Sequence, residues 1–189
     1  MPMYFVISFM IVFTFFAIFH FLLTLALVKK INNLTASVAE GAMHFPKLER
    51  GSLAPDFEAQ DLASQTTIAL ADYHNRAIAF IFFSSSCPPC REKIPALDTM
   101  QLENLSTHFE LVLVSVDDDA TLTRRFVDEF NVSFPVLSAP AETNPFMKTY
   151  KVPGTPYYCL IDRNGRILSS GFMENSWEKL IASWYSNEQ

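Results

Sequence analysis

The stretch AIAFIFFSSSCPPCREKIP, residues 77–95, decides the fold. Ala77–Phe83 is apolar without interruption, as in a central strand covered on both faces. Cys87-Pro88-Pro89-Cys90 follows, and then a helical pattern whose apolar markers are Ile94, Leu97, Leu102 and Leu105. A strand running into a helix with two thiols at the junction is a chemical arrangement. Cys87 falls at the helix N-terminus, where the dipole and free amides favour a thiolate. A thiolate is the nucleophile of disulfide exchange, and Cys90, one turn on, is placed to resolve a mixed disulfide. Pro88 and Pro89 lack backbone donors and stiffen the turn. Arg91 and Lys93 add positive charge nearby. The other readings are half a zinc site or an ordinary structural pair. No second CxxC and no His pair with ligand spacing is present, so neither a metal nor a cofactor is expected.

Outward from this stretch, strand and helix alternate. Thr66–Leu70 reads as a short strand and Leu111–Val116 as a second buried one. Asp117-Asp118-Asp119 has helix-start chemistry, since acidic side chains cap free amides; a helix through Phe130 follows. A metal role for these three carboxylates is the weaker reading. Phe134–Leu137 reads as a strand start or an edge, because Pro135 sits inside it. A short helix is expected across 143–149. Tyr157–Ile161 and Arg166–Gly171 form a hairpin around Asp162-Arg163-Asn164-Gly165. Asn175–Tyr185 places Trp177, Leu180, Ile181 and Trp184 on one helical face. The pattern implies an α/β domain, a mixed sheet with helices on both sides.

The N-terminal segment is of another kind. Of the 25 residues from Tyr4 to Val28, only Ser8, Thr14, His20 and Thr24 are not apolar, and no charged side chain precedes Lys29. As a helix the run is roughly 37 Å long, enough to span a hydrocarbon core of about 30 Å. A cleaved signal peptide has a basic start and a shorter apolar core; this segment has neither, so an uncleaved single-pass anchor is expected. Residues 1–30 are thus a membrane anchor, contacting lipid through residues 4–28. Residues 31–51 are a tether and 52–189 a soluble domain. Lys29 and Lys30 by themselves favour a cytoplasmic domain under the positive-inside rule.

Composition excludes other classes. The chain has 189 residues, a net charge of −6 and 50% apolar residues, which argues against disorder. Three cysteines are too few for a disulfide scaffold. All 20 acidic side chains but only 12 of the 14 basic ones follow residue 30, so the soluble part is acidic and nucleic-acid binding has no support.

Thr155-Pro156, just before an apolar strand, reads as a cis-proline turn. With the CPPC it makes the chain resemble the thioredoxin superfamily, whose CxxC opens the first active-site helix opposite a cis-Pro loop. The matching positions are Cys87, Cys90 and Pro156, with Thr155 before it. The resemblance implies a thioredoxin-like fold and dithiol–disulfide exchange over roughly residues 52–186, with Thr155, Pro156, Pro88 and Pro89 along the substrate groove. Pro95 resembles the helix-kinking proline of many members. Gly51-Ser52-Leu53-Ala54-Pro55-Asp56-Phe57 resembles the lead-in segment shared by peroxiredoxin-like and TlpA/ResA-like domains. The plan of anchor, tether and domain, and the stretch Gly171–Ser176, resemble the methylamine-utilisation accessory family MauD. Departures exist. Many ResA-like members carry a Glu where Lys93 stands, thioredoxins a buried Asp where Ile81 stands, and Glu92 is only a weak substitute. A carboxylate that assists Cys90 is therefore not identified.

The expected function is membrane-anchored thiol-disulfide exchange with a protein partner, and a membrane redox partner is a further candidate. The family resemblance places the domain outside the cytoplasm, against the two lysines. A thiol peroxidase of peroxiredoxin type is one alternative: Ser84 lies three residues before Cys87 as that class requires, but no Pro falls within Phe80–Phe83. A non-catalytic tethered assembly or thiol-binding factor is the other. Cys159 reads as a buried bystander.

Overall fold

The structure is a computed structural model that describes residues 2–40, 47–104 and 110–173. The chain divides into two units, Met1–His44 and Phe45–Gln189. The first contains one helix, α1 (Pro2–Glu40). Its stretch Phe9–Leu27 is long and apolar enough to cross a membrane, with none of it buried. Two of its hydroxyls are satisfied within the helix, as suits an apolar surrounding. The Thr14 hydroxyl donates to the Ile11 carbonyl at 2.9 Å and that of Thr24 to the His20 carbonyl at 2.8 Å. The His20 ring sits edge-on to Phe16, 4.6 Å between centroids. The helix runs on through residues 31–40.

The second unit is built on a seven-stranded sheet: β1 (Glu58–Asp61), β2 (Thr67–Ala69), β3 (Ile78–Phe83), β4 (Glu110–Ser115), β5 (Val136–Ser138), β6 (Tyr157–Ile161) and β7 (Ile167–Phe172), in the order β2-β1-β5-β4-β3-β6-β7. The β3–β4 and β4–β5 pairs are parallel and the rest antiparallel. The parallel pairs are joined by helical crossovers, α2 (Pro88–Asn104) and α3 (Ala120–Phe130); α4 (Phe146–Thr149) precedes β6. All six residues of β3 are buried, which is why its sequence shows no alternation.

The strand period separates two cores. Ala79, Ile81 and Phe83 face a cluster with Cys90, Ile94, Leu97, Phe126 and Leu160. Ile78, Phe80 and Phe82 face the other, with Phe57, Phe146, Tyr150 and Cys159. In the second the Phe57 and Phe146 rings stack at 4.0 Å and Phe80 meets both edge-on.

Two expectations change. Of the two readings for Phe134–Leu137 the strand start holds, since β5 begins at Val136, and the edge does not: β5 lies between β4 and β1. Pro135 stands just before the strand and its carbonyl accepts from the Leu113 N–H at 2.9 Å, so the missing donor costs the ladder nothing. Strand β1 was not expected at all. The β6–β7 turn is as expected: the Asp162 carboxyl accepts the N–H groups of Asn164 and Arg166, and Gly165 takes φ +71°. The helix expected at 175–185, and the Leu105 marker, lie outside the described residues.

Candidate active site

All three cysteines are free thiols. Cys87 is the residue before α2: its N–H donates to the Ser84 carbonyl at 3.1 Å, and its own carbonyl accepts from Cys90 at 3.0 Å and Arg91 at 3.2 Å. Pro88 and Pro89 occupy the first two helical positions, where a missing N–H breaks no helical bond. The consequence corrects the sequence reading. Pro88 and Pro89 have no N–H, and the Cys90 N–H is spent on the Cys87 carbonyl, so the first turn keeps no amide free for the sulfur. The dipole remains. Arg91 is partly engaged elsewhere. Its guanidinium lies 4.9 Å over the Phe130 ring and pairs with Glu129. Lys93 is 9% exposed, packed inward rather than displayed.

Cys87 is half-buried, Cys90 fully buried, and Pro88 and Pro89 exposed. Across from them the Thr155–Pro156 peptide is cis. The Cys87 thiol donates to the Thr155 carbonyl at 3.4 Å, so the structure brings the two sequence motifs, 68 residues apart, into contact. Thr155 is half-buried and Pro156 buried. Burial pushes the Cys90 thiol up to about 12, and its hydrogen bond with Cys87 acts in the same direction; the Ser84 main chain and the Thr155 side chain pull the other way. The pair is therefore asymmetric. One sulfur reaches the surface, while the other is held neutral beneath it.

Cys159 is 0% exposed and belongs to the core on the opposite sheet face from Cys90. Burial pushes its thiol up to about 12, as for an inert structural cysteine. Glu92 is exposed. Of the three acidic residues at 117–119, Asp119 is the cap of α3, accepting from the Thr121 N–H at 2.8 Å. Asp117 has a different place, which the sequence reading missed. It is 8% exposed and takes the Ser84 hydroxyl at 2.6 Å and the Ser85 N–H at 3.0 and 3.1 Å. It thereby holds the loop that leads into Cys87. No group of three or more His, Cys, Asp or Glu side chains suited to a metal occurs among the described residues.

Comparison with known proteins agrees with this layout. The ResA thiol-disulfide oxidoreductase of Oceanobacillus iheyensis is 30% identical over 121 residues, 62% of each chain, so the match spans less than two thirds of that relative. The ResA protein of Bacillus thuringiensis subsp. konkukian is 27% identical over 71% of this chain and 76% of its own. Among solved structures, a Chlorobium tepidum protein described as a thiol:disulfide interchange protein DsbE superposes with a TM-score of 0.64 at 29% identity, over 74% of this chain and 98% of its own. The Redoxin family profile matches residues 49–182, well over half of the sequence. The chain therefore belongs to the Redoxin family, with a thioredoxin-like fold and relatives named thiol-disulfide oxidoreductases.

Proposed function

We propose that the protein is a membrane-anchored thiol-disulfide oxidoreductase that exchanges disulfides with partner proteins through Cys87 and Cys90. The observation that carries the reading is the contact of the half-buried Cys87 thiol with the Thr155 carbonyl, with the buried Cys90 one turn along the same helix. In the reducing direction, Cys87 as thiolate attacks one sulfur of a partner disulfide. A Cys87–partner disulfide forms and the other partner sulfur leaves as a thiolate, which takes up a proton. Cys90 then loses its proton and attacks the Cys87 sulfur. The Cys87–Cys90 disulfide forms and the second partner thiolate is expelled. Two electrons pass from this protein to the partner, and the oxidising direction is the reverse.

Thr155, Pro156, Pro88 and Pro89 border the groove in which the partner chain lies in this reading. Helix α1 is the anchor, with Lys29 and Lys30 at its lipid boundary, and the domain lies outside the cytoplasm. The relatives above carry ResA and DsbE names, so the MauD resemblance is retained for the layout alone. The peroxidase alternative gains nothing from Ser84, whose hydroxyl donates to Asp117 at 2.6 Å.

The test is turnover of an insulin disulfide by the full-length protein in detergent. Loss of turnover in Cys87→Ser supports the reading and unchanged turnover overturns it, whereas full complementation in cells by Cys87→Ser favours a non-catalytic thiol-binding factor. Labelling of Cys87 in intact cells by a membrane-impermeant maleimide decides the side; complete protection of the reduced protein places the domain inside.

A further inference from the structure

The family carboxylates expected near the second cysteine are absent: Ile81 and Lys93 stand in their places. The buried carboxyl group nearest this chemistry in the hydrogen-bond network is Asp117, at the end of β4. Four groups surround its carboxyl. The Ser84 hydroxyl and the Ser85 N–H come from the loop before Cys87. The Ser115 and Thr123 hydroxyls, both 0% exposed, lie 3.3 and 3.2 Å from Oδ2. The Asp117 N–H in turn reaches the Ser115 oxygen at 3.3 Å.

With one proton per hydroxyl, the Asp117 N–H donates to Ser115, one of the Ser115 and Thr123 hydroxyls donates to the other at 2.6 Å, and the acceptor of that pair donates to Asp117 Oδ2. The carboxyl is thus locked to β4 and α3 on one side and grips the loop on the other. The Ser85 peptide is held at both ends, since its carbonyl accepts from Arg91 at 3.4 Å. Arg91 is itself seated on α3 through Phe126, Phe130 and Glu129. Ser84 is the residue whose carbonyl accepts the Cys87 N–H at 3.1 Å, and the Cys87 carbonyl in turn accepts the Cys90 N–H at 3.0 Å.

We infer that Asp117 is the positioning residue of the dithiol: its carboxyl clamps Ser84 and Ser85, and through the Ser84 carbonyl it fixes the main chain at Cys87 and, one bond further, at Cys90, so that the two sulfurs stay in place for the resolving attack. This rests on the exchange function proposed above. The clamp acts on the second step, since that step needs the two sulfurs of this chain in register, and the clamped Ser84 carbonyl holds the main chain from which both extend. A poorly held resolving thiol leaves the mixed disulfide standing, and displacement of a reacting atom by about 1 Å costs up to a hundredfold in rate.

The experiment follows decay of a preformed mixed disulfide between Cys87 and a reporter thiol in the full-length protein in detergent. Asp117→Ala is expected to slow release roughly tenfold. Asp117→Asn keeps an oxygen acceptor for the Ser84 hydroxyl and is expected to recover to within about threefold of wild type. Wild-type release in Asp117→Ala overturns the inference. So does Asp117→Asn as slow as Asp117→Ala, which assigns the effect to charge. If Asp117→Ala does not fold, Ser84→Ala carries the test, with about threefold slowing expected and wild-type release overturning it. If the wild-type protein exchanges no disulfide, the functional reading falls alone. Positioning is then read from maleimide labelling of Cys90, faster in Asp117→Ala than in wild type; equal labelling rates overturn it.

Discussion

The Cys87 thiol donates to the Thr155 carbonyl across 68 residues of sequence, at 3.4 Å. That contact joins the start of α2 to the turn before β6 and marks the more accessible of the two sulfurs. Cys90 lies beneath, fully buried.

The asymmetry sets a pH dependence for the second step. Burial is the largest cause of the raised Cys90 thiol, and it persists when Cys87 is tied to a partner. Attack requires the thiolate, so below about 12 its fraction grows tenfold per pH unit. Release of a reporter from its Cys87 mixed disulfide is expected to accelerate roughly tenfold per unit between about pH 7 and 9. Stopped-flow measurement checks this; a rate that levels off near neutrality contradicts it.

Cys159 gives the opposite expectation. It sits in the core on the far sheet face among Phe80, Phe82 and Tyr150. Cys159→Ala is expected to leave the exchange rate unchanged and to cost about 1–2 kcal/mol in denaturant unfolding, the cavity left by a sulfur. A drop in exchange rate without loss of stability contradicts the bystander assignment.

Phe146 anchors the same core. It is 1% exposed, stacked on Phe57 and edge-on to Phe80, Phe82 and Tyr150. Phe146→Ala is expected to destabilise the domain by about 3–5 kcal/mol, as for a large aromatic truncated in a packed core. Chemical denaturation measures it.

What the sequence made legible follows from where the information sits. Strand β3 and the CPPC helix are local patterns: an unbroken apolar run, two prolines tolerated at helix positions one and two, and Ile94 and Leu97 at core spacing. The β6–β7 hairpin is legible because Asp162 and Gly165 carry its turn chemistry. Strand β1 is not, because Glu58-Ala59-Gln60-Asp61 has one buried side chain and is a strand through its pairing with β2 and β5. An edge for Phe134–Leu137 failed for a related reason: Pro135 constrains only its own position, and Val136 onward is free to pair on both sides. At the site, both cysteines and Thr155-Pro156 were visible as motifs. Asp117 was not. It looked like its neighbour Asp119, a helix cap, and its grip on Ser84 and Ser85 spans more than 30 residues.

The anchor has its own test. Helix α1 is expected to hold the protein in the membrane fraction through alkaline carbonate extraction, and deletion of residues 1–30 to release it. A full-length chain that extracts into the soluble fraction contradicts a spanning helix.

The central claim is that Cys87 is the sulfur a partner meets and Cys90 the one that resolves. The most direct measurement is intact-mass analysis of full-length Cys90→Ser after incubation with a disulfide-bonded peptide. The account predicts a stable one-to-one adduct whose linkage maps to Cys87, absent from wild type, where Cys90 clears it. An adduct on Cys159, or none at all, contradicts it.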